Sequence, residues 1–237
     1  MITPALVVFD LVGTTVQADD AVPLAFTAAL AEEGVALSAA QLKAVRGATK
    51  RLALRQLLAH HPDAELRADR AYARFRAELL RLYAPDTVAP VPGAAGVMAA
   101  CRARGVKVAL NTGFDRDLAA HVLTLLGWRD AVDAVVCGDE VVAGRPAPYL
   151  IFHAMEATGV IDVAMVANVG DTVLDLGAGA HAGVRWNIGV WTGAHDRATL
   201  AAGPHTHLCA SVADVPAILG LGEGLHDRER LVLDARR

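Results

Sequence analysis

The run Ala5-Leu-Val-Val-Phe9 is apolar at every position and stops abruptly at Asp10. A strand without polar alternation is buried on both faces, which calls for a parallel sheet covered by helices on both sides. Met1 to Phe9 has no basic start and leads straight into Asp10, so it reads as that strand and not as a signal peptide.

About seventy residues of helical pattern come next, with no strand in them. Val22 to Glu33 is rich in alanine and leucine and stops at Gly34. Ser38-Ala-Ala-Gln41 has the spacing of a capping box, opening a helix that closes near Gly47. A third helix begins around Thr49 with Leu52, Leu54, Leu57 and Leu58. A fourth starts after Pro62, with Leu66, Tyr72, Phe75, Leu79 and Leu82 near helical spacing. Its arginines, Arg67 to Arg81, read as a solvated face. The prolines of Ala84-Pro-Asp-Thr-Val-Ala-Pro-Val-Pro-Gly93 then mark a linker.

Beyond it, strands and helices alternate. Val106–Leu110, Val132–Cys137, Ala164–Val169 and Val184–Val190 read as strands, with Thr206–Ala210 as an edge strand. Helices fall near 94–104, 114–126, 146–158 and 172–182. This order specifies an α/β fold: a Rossmann-like parallel sheet core with right-handed crossovers and an inserted α-helical cap domain. The core is assigned to 1–16 and 87–237 and the cap to 17–86, with a polar tail from Leu221 to Arg237.

Composition narrows the function classes. A chain of 237 residues suits a core plus a small second domain. With 54% hydrophobic and 20% charged residues it is globular, and its mean hydropathy of +0.36 owes much to alanine. No apolar run approaches the roughly 20 residues of a membrane span. Net charge −4 and a pI of about 6.1 leave no basic stripe for nucleic acid. Cys101, Cys137 and Cys209 are far apart and form no CxxC, which suits reduced thiols and a cytoplasmic location.

Three strand ends turn polar where the apolar pattern stops: Asp10-Leu-Val-Gly-Thr-Thr15, Asn111-Thr-Gly-Phe114 and Gly170-Asp-Thr-Val-Leu-Asp175. Ligands of open α/β sheets bind beyond the carboxyl ends of the strands, so all three segments point at one crevice. Asp10 and Asp171 can share a hard cation, and Mg²⁺ fits best because a phosphoryl group would complete its shell. Thr112 and the amides of Gly113 and Phe114 open a helix, which favours phosphate oxygens. Arg145, in Gly144-Arg-Pro-Ala-Pro148, offers a fixed positive charge to the same group.

With these segments in this order, the chain resembles the haloacid dehalogenase superfamily along essentially its whole length. The resemblance implies that Asp10 attacks phosphorus to form an aspartyl-phosphate. The Val12 carbonyl and Asp171 would bind Mg²⁺, Asp175 would be a further metal ligand or its support, and Thr112 would bind phosphate. Position 12 is valine where the superfamily's phosphatases carry a second aspartate, and valine cannot protonate a leaving alkoxide. Losing such a general acid costs about 10²–10⁴-fold, so an ordinary phosphomonoesterase is disfavoured.

The segments Phe-Asp-Leu-Val-Gly-Thr-Thr-Val (9–16), Asn-Thr-Gly-Phe-Asp-Arg-Asp (111–117) and Ala-Gly-Arg-Pro-Ala-Pro (143–148) look like the phosphonatase-like branch of that superfamily. The resemblance implies that a cap lysine in a Gly-x-x-Lys segment, here Gly47-Ala-Thr-Lys50, forms a Schiff base. It also makes Gly47 and Phe114 substrate neighbours. The implied reaction is Mg²⁺-dependent cleavage of the C–P bond of phosphonoacetaldehyde or a related 2-oxo-alkylphosphonate. An imine accepts the electrons of that bond, so the leaving group needs no proton from position 12. The start of a helix disfavours an ammonium at Lys50, and Arg46 and Arg51 would push its pKa the same way. Ala53 and Phe114 stand where the branch has a histidine and a tyrosine. A phosphatase of small phosphorylated metabolites and an inactive phosphate-binding homologue stay open as alternatives. The resemblance also allows dimerisation through a cap helix.

Two weaker signals are set aside. Gly177-Ala-Gly-Ala-His-Ala-Gly183 has the wrong spacing for a dinucleotide fingerprint and reads as tight helix packing. His205, His207 and Cys209 share one face of a strand but read as half-exposed residues and not as a zinc site.

Overall fold

A computed structural model of the chain describes residues 2–18, 21–45 and 47–221, without the side chains of residues 39, 43 and 44. Arg46 and the polar stretch 222–237 read as a tail lie outside the described residues.

The elements run β1 (Leu6–Asp10), β2 (Val16–Gln17), α1 (Ala21–Ala31), α2 (Ala39–Ala44), α3 (Lys50–Leu58), α4 (Ala64–Leu82), β3 (Ala89–Pro90), α5 (Ala94–Ala103) and β4 (Lys107–Asn111). They continue with α6 (Arg116–Leu125), β5 (Ala134–Val136), α7 (Tyr149–Thr158), β6 (Val166–Gly170), α8 (Val173–Ala182), β7 (Trp186–Val190), α9 (Arg197–Ala201), β8 (His207–Cys209) and α10 (Val215–Ile218). Six strands form one sheet in the order β5-β4-β1-β6-β7-β8, and every neighbouring pair is parallel. The register sets Asp10 opposite Asn111 and Phe9 opposite Val169.

The continuous apolar run of β1 has the reason expected of it: all five residues are buried. Val7 and Phe9 pack with Met98 of α5 and with Leu118 and Val122 of α6. Leu6 and Val8 pack with Leu150, Ile151 and Ala154 of α7 and with Ala178 of α8 on the other face. Side chains that alternate between two covered faces leave no polar position in the strand before Asp10 at its end. Strands β1 and β4 keep the length of their apolar runs and lie one residue later, whereas β5 to β8 are shorter, because runs such as Val132–Cys137 include flanking residues outside the ladder.

Helices α1 to α4 all lie between β2 and β3. Phe26 of α1 meets Phe75 of α4 with ring centroids 4.7 Å apart, and Leu30, Leu54, Leu58 and Leu79 close the same interior. The capping box at Ser38 forms, with Gln41 Oε1 accepting from the Ser38 amide at 3.0 Å. Two expectations are corrected. The proline-rich linker contains β3, which pairs antiparallel with β2. Pro90 has no N–H to give, but Val91 N donates to Thr15 O at 2.9 Å just beyond it. The arginines of α4 are not simply solvated. Arg67 and Arg70 both pair with the largely buried carboxylate of Glu33, and Arg76 pairs with Asp117 at the start of α6. The Glu33 pairs tie α4 to the end of α1, and the Arg76 pair ties α4 to the start of α6.

The Gly177–Gly183 segment lies in α8 and the turn after it. A Cβ at Gly179 would stand 2.1 Å from Asn187 Oδ1, and one at Gly177 2.9 Å from Pro146 Cβ. Close packing is therefore the use of these glycines.

Candidate active site

The carboxyl ends of β1, β4 and β6, the β7–α9 loop and the start of α3 enclose a cavity of about 280 Å³. Asp10, Val12, Gly47, Lys50, Thr112, Gly113, Phe114, Arg145, Asp171 and Asp175 all line it. Residues read from five separate segments of sequence thus meet in one cleft.

Asp10 is the last residue of β1, where the strand's own pairing aims it out of the sheet end. Gly13 lies three residues on with φ 98°, and a Cβ there would stand 2.4 Å from Asp171 Oδ2. Only glycine permits that turn and that approach. Asp171 begins the loop after β6. Its Oδ1 accepts from Thr14 Oγ1 at 3.2 Å and its Oδ2 from Ala194 N at 2.6 Å.

Arg145 is 4% exposed and faces three partners. Its Nη2 lies 2.7 Å from Asp10 Oδ1, its Nε lies 2.9 Å from Asp175 Oδ1, and Nη2 also donates to the Asn111 side-chain oxygen. Asp175 Oδ2 accepts from the Thr172 amide at 3.0 Å and from its hydroxyl, closing the capping box of α8. Both oxygens of Asp175 are thus engaged, one by the helix start and one by Arg145. Of the two roles left open for it, this geometry favours support.

Burial pushes the Asp10 carboxyl up to about 6; Arg145 pulls it down and Asp175 pushes it up. Burial, and then the charges of Asp10 and Asp175, push the Asp171 carboxyl well above its ordinary value. Burial works against the charge of Arg145, but Asp175 and Asp10 outweigh it and hold the guanidinium protonated. Two buried carboxylates that repel each other are a donor set for a hard divalent cation. Among the described residues, no three of His, Cys, Asp and Glu converge as a ready-made ion site. Asp10 and Asp171 could hold Mg²⁺ together with waters, a carbonyl and substrate oxygens.

Lys50 is the first residue of α3 and only 8% exposed. Its Nζ donates to Ala48 O at 3.2 Å and lies 5.5 Å from the centre of the Phe114 ring. Burial lowers its pKa to about 8, while Asp10 acts in the opposite direction and Arg145 reinforces the drop. Arg51 does not take the part expected of it, because its guanidinium pairs with Asp69 at 2.8 Å on the exposed face of the helices. Arg145 fills that part instead. Arg46 lies outside the described residues.

Thr112 is buried, and its Oγ1 accepts from Phe114 N at 3.2 Å. Helix α6 starts only at Arg116, with Asp115 as N-cap. The amides of Gly113 and Phe114 are thus in a loop before the helix and not in its first turn, and that of Phe114 is used locally. Sequence reasoning missed Thr14, Asn111 as an anchor of Arg145, and the loop after β7. There Thr192 Oγ1 donates to Gly13 O at 2.7 Å. The carboxyl-end rule applied to β7 would have pointed to Thr192 and Gly193.

Fold and site together define an α/β protein whose cleft lies between a parallel sheet and a helical layer. A family model described as haloacid dehalogenase-like hydrolase matches residues 4–183, and the chain belongs to that family. It is 35% identical over 131 residues to a phosphonoacetaldehyde hydrolase of Parabacteroides distasonis, an overlap of 54% of this chain and 48% of that one. It is 31% identical over 206 residues to the phosphonoacetaldehyde hydrolase of Bacillus cereus, covering 80% of this chain and 76% of the relative. A solved phosphonoacetaldehyde hydrolase-like protein of Oleispira antarctica superposes with a TM-score of 0.81 at 23% identity, covering 94% of this chain and 95% of that one. The chain is thus a haloacid dehalogenase-like hydrolase related to phosphonoacetaldehyde hydrolases.

Proposed function

We propose that this hydrolase cleaves the carbon–phosphorus bond of phosphonoacetaldehyde or a related 2-oxo-alkylphosphonate. Asp10 is the nucleophile and Lys50 the imine-forming amine. Residues 1–16 and 87–237 make the catalytic core and 17–86 the cap. What carries the reading is a buried lysine amine held near pKa 8 in the same cleft as Asp10, where position 12 offers only hydrocarbon.

Neutral Lys50 adds to the substrate aldehyde and, with loss of water and uptake of one proton from solvent, gives a protonated imine at the second carbon from phosphorus. Asp10 attacks the phosphorus, and the C–P bond breaks. Its electron pair moves into the iminium to leave a neutral enamine. Protonation of the enamine carbon and addition of water release acetaldehyde and free the amine. A second water hydrolyses the aspartyl-phosphate to phosphate. Arg145, locked by Asp175 and Asn111, faces the phosphoryl oxygens with a fixed charge, and the Thr112 hydroxyl donates to one of them. Mg²⁺, held by Asp10, the Val12 carbonyl and Asp171, supplies neutralisation of phosphoryl charge when bound.

Borohydride added with phosphonoacetaldehyde tests the reading. Reduction of the imine should leave a two-carbon tag on Lys50, found by peptide mass mapping, and Lys50→Arg should abolish it. A tag elsewhere, or none, overturns it. A second reading rests on the same amine: still mostly protonated at neutral pH, Lys50 could hold the phosphate of a monoester with a good leaving group. Turnover of p-nitrophenyl phosphate without trapping would favour that alternative.

A further inference from the structure

The loop that delivers Lys50 is seated in the core through glycines. A Cβ on Gly144 would stand 2.3 Å from the Thr49 methyl carbon, and one on Gly138 2.9 Å from the same atom. A Cβ on Gly113 would stand 2.8 Å from Ala48 O and 3.5 Å from Thr49 Cα. All these distances are shorter than, or at the edge of, ordinary contact, so the segment fits only because these positions lack side chains. Ala48 O, seated on Gly113, is also the acceptor that holds Lys50 Nζ at 3.2 Å. Thr49 is the N-cap of α3, yet its hydroxyl makes no capping hydrogen bond. Serine, threonine and aspartate serve that position for their side-chain oxygen. Here the oxygen does no capping, and the methyl is what meets the core.

From this we infer that Thr49 is a positioning residue whose methyl group keys the cap loop into a socket formed by Gly138 and Gly144, beside Gly113, which receives the loop backbone at Ala48 and Thr49. The key sets where the Lys50 amine stands over Asp10. The inference rests on the proposed role of Lys50, although the socket itself is independent of any chemistry there. Gly113 adjoins Thr112 and Gly144 adjoins Arg145, so the socket is built from the segments proposed to bind the phosphoryl group. Seating the loop and completing the phosphate site are therefore one event. Catalytic geometry tolerates little displacement, and a shift of about 1 Å from a remote change costs about 10²-fold.

The steric relation makes a rescue experiment possible. The nearest atoms to a Cβ at position 144 all belong to Thr49, and without its methyl the next lie at 3.5 and 3.6 Å, which is ordinary contact. Gly144→Ala should lower the rate of borohydride trapping at Lys50 by about 10²-fold. It should also speed amide hydrogen exchange in the peptide 47–58. Thr49→Ser, which loses the methyl, should cost a few-fold, and Gly144→Ala combined with Thr49→Ser should return to the Thr49→Ser level in both readouts. Thr49→Leu overfills the socket from the cap side and leaves the core untouched, so it should reproduce the Gly144→Ala loss even where that variant fails to fold. A double variant as impaired as Gly144→Ala, or a Thr49→Leu protein that traps and exchanges like the parent, overturns the socket. If the parent shows no trapping, the Lys50 chemistry falls by itself. The exchange pattern then still decides for or against the socket.

Discussion

Arg145 Nη2 stands 2.7 Å from Asp10 Oδ1, and the two side chains are only 3% and 7% exposed. A buried cation this close to the proposed nucleophile engages one carboxylate oxygen. It also holds its own charge where a phosphoryl group must arrive. With Asp175 behind it, Arg145 offsets three buried carboxylates, so structure and catalysis rest on the same guanidinium.

Replacing Arg145 by methionine removes that cation and leaves Asp10, Asp171 and Asp175 uncompensated. Breaking a buried pair from one side costs about 3–5 kcal/mol, so the urea midpoint should fall by a matching amount. Arg145→Lys keeps the charge but loses the planar fork. It should retain more stability while lowering kcat by about 10²-fold.

The titration of Lys50 gives a pH signature. Its pKa is lowered to about 8 from an ordinary value of 10.5. Only the neutral amine attacks an aldehyde, so the trapping rate should rise with pH and level off above about 8. Between about 8 and 10.5 the unfolded chain binds more protons at this site than the folded one. The contribution of Lys50 to stability therefore increases with pH across that window. Lys50→Met should flatten this part of the stability profile, read by denaturant titration at pH values of about 8 and about 10.

Val12→Asp restores a general acid two residues after the nucleophile. Hydrolysis of a simple alkyl phosphate should rise by about 10²-fold, measured as phosphate release. Turnover of phosphonoacetaldehyde should not rise, because its enamine leaving group needs no proton from that side.

Asp10→Asn should abolish turnover of phosphonates and phosphates alike, by about 10⁴-fold or more. The variant should still form the Lys50 imine, because the amine is supplied by a different element. Borohydride tagging that survives in this protein separates imine formation from C–P cleavage.

The sheet was legible because burial on both faces leaves its mark in continuous apolar runs. Asp10 and Asp171 were legible because each stands where such a run stops. Lys50 could not be told from a surface lysine by composition; its burial depends on the core residues beneath it, which are distant in sequence. The same is true of Thr14, the Ala194 amide and the glycines around Thr49, which act by being near something far along the chain. The β2–β3 pair escaped for a local reason. Two-residue strands leave no periodicity, and Pro90 argues against a ladder that Val91 completes. The arginines of α4 hid their ion pairs because helical spacing gives a face but not the partners, such as Glu33, that the fold brings to it.

The most direct test of carbon–phosphorus cleavage is to supply phosphonoacetaldehyde with Mg²⁺ and to measure acetaldehyde and phosphate in parallel. The parent protein should release the two in equal amounts, and Lys50→Arg should release neither. Phosphonoacetaldehyde left intact by a parent protein that hydrolyses phosphate esters equally well with and without Lys50 would contradict it.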